Sequence, residues 1–147
     1  VSLRALLVTP VPAPEALAAA CALTGIKAHV VPSEVGSIAA LVQPEEDAAL
    51  KAGASLSQLL KGGLIVVLRN LDGQLDATGY QDGEGTEVQA AGLWLDAAPV
   101  ILEDLVTGQL EAEDAEGMVS SVGMSRWRAA RQLSRLARAS RKQASRG

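Results

Sequence analysis

The residues of this chain that could carry chemistry are few and widely spaced. Cys21 is the one cysteine and His29 the one histidine. A nucleophile needs a base beside it, so these two are the only thiol–imidazole candidates. Cys21 falls in the run Leu17-Ala18-Ala19-Ala20-Cys21-Ala22, where a free thiol behaves as a small buried apolar side chain. His29 alternates with core-facing positions of a strand. One His and one Cys cannot make a zinc site of the usual kind within one chain. Asp82, Glu84 and Glu87 could offer oxygens to a hard cation, but the EF-hand spacing is absent and the stretch reads as a solvated acidic loop. The carboxylate pairs Glu45/Glu46, Glu103/Asp104 and Glu113/Asp114 could do acid–base work only with a convergent partner, and each fits a water-facing helix. No nucleophile elbow, phosphate-binding loop or dinucleotide fingerprint occurs. No catalytic residue, metal or cofactor is therefore assigned, and the chain reads as leaning away from catalysis.

The remaining chemistry is electrostatic. All 17 acidic residues lie between Glu15 and Glu116, and eight of the 13 basic residues follow them. Residues 1–117 thus hold five basic against 17 acidic side chains, a net of −12, and residues 118–147 carry +8. Segregation of this kind points to a tail that meets a polyanion, either nucleic acid or an acidic protein surface. The same tail could instead dock on its own acidic body. The candidate contact residues are Arg126, Trp127, Arg128, Arg131, Arg135 and Arg138.

These side chains need a scaffold, and 147 residues suffice for one domain with a sizeable core. Apolar residues make up 48% and charged residues 20%, which is globular composition. With no Phe, one Tyr and two Trp, the core must be thin-walled Ala, Leu, Val and Ile. A single cysteine needs no oxidising compartment. The apolar stretch that stops at Pro10 is too short for a signal peptide, and no run approaches a membrane span. A cytoplasmic location is expected.

Leu3–Val8 reads as a buried strand, and Pro12 and Pro14 open a helix over Glu15–Thr24. Gly25 stands where a left-handed cap belongs. Ile26–Val31 is a second strand, with Ser37–Val42 returning antiparallel. Pro44 begins a helical region with Glu45, Glu46 and Asp47 in its first turn. Gly53 is expected to interrupt it, and Ser55–Gln58 has capping-box spacing for a new short helix to Lys61. Leu64–Leu68 is fully apolar and should be a strand buried on both faces. The element order is then βαββαβ, a ferredoxin-like α/β (α+β) order. The last strand of that order is an edge, so either an extra strand or a second copy must cover Leu64–Leu68. Gln74–Tyr80, after a turn at Asn70–Gly73, is the candidate strand, and a homodimer is the alternative. Gln81–Thr86 reads as an exposed loop, and Glu87–Leu95 is ambiguous. A helix runs from Ala97-Ala98-Pro99 through Val106 and ends at Gly108. Glu111–Ser121 and Arg126–Lys142 read as two last helices split at Gly123. The expected organisation is an acidic α/β domain over 1–110, a helical segment over 111–142 and a frayed tail over 143–147.

Within that last segment, Val122-Gly123-Met124-Ser125-Arg126-Trp127-Arg128-Ala129-Ala130-Arg131-Gln132-Leu133 carries the one resemblance in the chain. Ala115–Leu133 resembles the helix-turn-helix segment of bacterial DNA-binding proteins. The resemblance implies that Gly123 makes the turn, Met124 contacts the core and Ser125 caps the second helix. It also implies that Ala129 and Leu133 face the first helix while Arg126, Trp127, Arg128 and Arg131 point to DNA. Val119 departs from the usual Ala, and Glu111, Glu113, Asp114 and Glu116 would put negative charge beside phosphate. The plainer alternative is a C-terminal helix with Trp127, Leu133, Leu136 and Ala137 as its apolar stripe. Its apolar face is too small and Ala-rich to favour a membrane surface, and a sheet without aromatics to stack bases disfavours single-stranded RNA. Three functions follow: a non-catalytic interaction or regulatory module using its basic helix, a ferredoxin-like domain binding a small ligand, and an enzyme with a carboxylate site.

Overall fold

The computed structural model describes residues 3–42, 47–86, 88, 95–96 and 98–135. Seven strands form one antiparallel sheet: β1 (Leu3–Val8), β2 (Ala28–Ser33), β3 (Gly36–Leu41), β4 (Ile65–Leu71), β5 (Gln74–Gln81), β6 (Glu84–Thr86) and β7 (Val119–Ser120). Their order across the sheet is β6-β5-β4-β1-β3-β2-β7. Helices α1 (Pro14–Leu23) and α2 (Ala48–Leu59) lie on one face, and α3 (Val100–Thr107) lies on the other with a 3-10 turn at Ala112–Asp114. A fourth helical segment, α4, begins at residue 126 and is described to residue 135. The architecture is thus mixed α+β. The sheet is larger than the four strands of a βαββαβ unit, with β5 and β6 added beyond β4 and β7 beyond β2. No helix among the described residues is long and apolar enough to cross a membrane.

Strand alternation divides the core in two. Ala5, Leu7, Ala28, Val30, Ala39, Ile65 and Val67 face α1 and α2, while Leu6, Val8, Val31, Ile38, Val66 and Leu68 face α3. This is why the Leu64–Leu68 run is apolar throughout: from Ile65 onward its alternate residues fill different cores. β4 is also paired on both sides, from Leu3↔Leu71 to Val8↔Val66 with β1 and from Ile65↔Tyr80 to Leu71↔Gln74 with β5. It is not an edge, so its apolar sequence gives no reason to expect a second copy.

Helix α1 ends as its sequence requires. Gly25 adopts φ 78°, and its N–H donates to the Ala22 carbonyl while the Ile26 N–H donates to that of Cys21 at 2.7 Å. This double closure is a Schellman cap. Asp72-Gly73 and Asp82-Gly83 each take positive φ at both positions, the conformation of a two-residue hairpin turn. The first turn is the expected one. The second corrects the exposed loop expected over Gln81–Thr86: Glu84–Thr86 pairs back on β5.

Two other expectations fail for physical reasons. Gly53 does not interrupt α2, which runs unbroken past it. Its missing side chain admits the sheet instead: a Cβ there would collide with Val67 Cγ2 and lie 3.0 Å from Tyr80 Cδ2. Ser55 accordingly sits inside the helix and caps nothing. The helix expected over Glu111–Ser121 is replaced by the 3-10 turn and strand β7, because Val119 and Ser120 pair with Val30 and His29 at the sheet edge. Glu45, Glu46, most of Glu87–Leu95 and residues 136–147 lie outside the described residues.

Candidate functional site

The chain reaches α4 through a fixed junction. Ser121 is 4% exposed; its hydroxyl donates to the Ile26 carbonyl at 2.7 Å and accepts from the Ala28 N–H at 2.9 Å. Its own N–H donates to the Ala28 carbonyl at 2.9 Å. Gly123, at φ 82°, turns the chain, and Met124 packs between the sheet core and α1. Ser125 then accepts the Arg128 N–H on its side-chain oxygen at 3.1 Å, an N-cap on one of the orphan amides of the first turn.

From there α4 lies against α1. Ala129 is fully buried beside Ala19 and Ala22, with Leu23, Met124 and Leu133 around them. Small residues let the two helices approach closely. The contact also explains why α1 is apolar nearly all round: Leu17, Ala18, Ala20 and Cys21 face the sheet, and Ala19 and Ala22 face α4. That second apolar face was readable in the alanine run and is the signal that α1 carries another helix.

This geometry corrects the helix-turn-helix resemblance. Gly123, Met124 and Ser125 do make the turn, core contact and cap, but the first helix is absent. Ala129 and Leu133 face α1 instead. It also corrects the apolar stripe: Leu133 is on the packed side, whereas Trp127 is 70% exposed.

The opposite side of α4 is basic. Trp127, Arg131 and Arg135 follow one another at helical spacing and are all exposed, as are Arg126 and Arg128. The Arg131 guanidinium sits 4.6 Å from the centre of the Trp127 ring, a cation–π contact between neighbours one helical turn apart. Arg126 reaches past Gly25 at the end of α1, where the helix dipole favours a cation. Ser125, Trp127, Arg128, Arg131, Gln132 and Arg135 line a shallow groove along this face. The ion pairs among the described residues include Arg4–Glu111 and Arg69–Asp76, and none joins a described carboxylate to Arg126, Arg128, Arg131 or Arg135. Two further cations lie nearby: Lys27 and Lys51 line the groove between α1 and α2 that also takes in Gly25. Arg138 lies outside the described residues.

The other sequence candidates do not assemble. Cys21 lies on the sheet-facing side of α1, and burial pushes its thiol up to about 12, so it is not a nucleophile near neutral pH. His29 points to the other face, in a cavity lined also by Arg4, Leu6, Ala40, Glu111 and Glu113. Glu111 is bound by Arg4 through two hydrogen bonds of 2.7 and 3.2 Å, which hold its carboxyl below the ordinary range. That leaves one carboxylate, not a converging pair. Asp82 accepts the Gly62 N–H at 3.1 Å and so braces a turn. Among the described residues no three of His, Cys, Asp and Glu are placed to hold a metal. Compared with known proteins, the chain matches no family model, no curated protein and no solved structure.

Proposed function

We propose that the protein is a non-catalytic interaction module that meets a polyanion, nucleic acid or an acidic protein surface, through the outward face of α4. The observation that carries this reading is the combination of exposed Arg128, Arg131 and Arg135 with the lack of any described carboxylate beside them. A basic helix serving only its own acidic body would turn its guanidinium groups inward. Here the inward contact is made by Ala129 and Leu133. The body supports that face through the packing of α4 on α1. Its inner strands β4-β1-β3-β2, with α1 and α2 together on one side, support reading it as a ferredoxin-like unit extended at both edges.

The test is direct binding of the full chain to three labelled probes at low salt: a DNA duplex, a single strand and polyglutamate. The wild-type chain binds at least one, and the triple variant Arg128→Ala/Arg131→Ala/Arg135→Ala loses that binding while keeping its thermal stability. Failure of all three probes to bind removes the proposal. Deletion of residues 118–147 is not an equivalent test, because it also removes β7 and the Ser121 junction from the sheet.

A further inference from the structure

We infer that the polyanion is a single-stranded nucleic acid and that Trp127 is a stacking platform for one of its bases. The inference rests on the reading of α4 given above. Trp127 is the largest exposed apolar side chain described, with 70% of its surface open to water on a helix whose apolar contacts are made on the other side. An indole in that position costs solvation, and its described ring contact is with Arg131 rather than with the alanine face that anchors α4 on α1. Arg131 braces it at 4.6 Å, and Arg128 and Arg135 border the same groove. An aromatic face set among cations is what a single strand needs, since its unpaired bases offer π-faces and its phosphates offer charge.

The alternatives use the site less fully. In a duplex the base faces are already stacked on one another, and side chains reach only base edges and backbone. Reading a major groove with α4 also lacks the preceding helix that would cross the backbone, because that stretch is strand β7. The carboxylates of an acidic peptide could pair with the arginines but offer no aromatic face to the Trp127 ring. One base on Trp127 and phosphates along Arg128, Arg131 and Arg135 engage every outward group of the stripe.

The experiment compares a short labelled oligothymidylate, a duplex of equal length and polyglutamate against the 147-residue wild-type chain, Trp127→Ala and Trp127→Phe. Trp127 is exposed, so both variants fold, which circular dichroism verifies. The single strand is expected to bind more tightly than the duplex and to quench tryptophan emission. Trp127→Ala should weaken that binding by about tenfold, with Trp127→Phe in between. Equal or tighter duplex binding, an unchanged affinity in Trp127→Ala, or binding of polyglutamate alone overturns the inference while leaving the polyanion reading standing. No binding of any probe overturns both.

Discussion

Ser121 stands in for a strand partner of Ala28, accepting its N–H on the side-chain oxygen at 2.9 Å and donating a backbone N–H to its carbonyl at 2.9 Å. The short strand β7 therefore closes the sheet edge with a side chain where its backbone ladder runs out. Since α4 begins five residues later, at residue 126, this junction also sets where the basic helix starts. Ser121→Ala leaves the buried Ala28 N–H without its acceptor and is expected to cost about 1–3 kcal/mol. Urea unfolding of the two chains measures the difference. A loss below a few tenths of a kcal/mol would mean that water replaces the hydroxyl.

Gly53 poses a sharper conflict. In an exposed helix Gly→Ala gains up to about 1 kcal/mol of helix propensity. At Gly53 the added methyl meets Val67 and Tyr80, and overpacking of a filled core costs about 1–3 kcal/mol. Gly53→Ala should therefore destabilise the protein, as read by a lowered Tm. A raised Tm would show that β4 and β5 can move away from α2.

The Arg4–Glu111 pair gives a pH-dependent prediction. Arg4 lowers the Glu111 pKa, chiefly through its side-chain hydrogen bonds. A carboxyl held lower in the folded than in the unfolded chain adds stability above its unfolded pKa, and that stability is lost as the pH falls through the folded value. Glu111→Gln is thus expected to be less stable than wild type at neutral pH. Both partners are partly exposed, at 34% and 50%, so the difference is at most about 1 kcal/mol. It should close as the pH drops through and below the ordinary carboxylate range. A gap that persists in acid would assign the effect to something other than charge.

The sheet was more legible in the sequence than the surface that uses it. Alternation and turn residues located β1 to β5 to within a few positions, because each buried face leaves a period-two trace. Gly53 misled because a glycine in a helix reads the same whether it breaks the helix or lets a neighbour approach. Asp82-Gly83 is the same dipeptide as Asp72-Gly73, but the strand after it is three residues long and exposed, so no apolar pattern marked it. Strand β7 is two residues long and leaves no periodicity at all; its charged preceding residues resembled a helix. The identities of the outward arginines were readable from charge alone. Their exposure was not: the alanine run marks a second apolar face on α1, but only the structure pairs that face with Ala129 and Leu133 and so turns the arginines outward.

Binding of a polyanion by α4 must show itself in salt. Each phosphate neutralised adds about 0.7 to the slope of log K against log salt for a single strand and about 0.9 for a duplex. The decisive measurement is that slope for wild type, for the single variants Arg128→Ala, Arg131→Ala and Arg135→Ala, and for Lys61→Ala as a remote exposed cation. The slope should fall by about one contact in each arginine variant and stay at the wild-type value in Lys61→Ala. Equal slopes in all five proteins would contradict the assignment of this face.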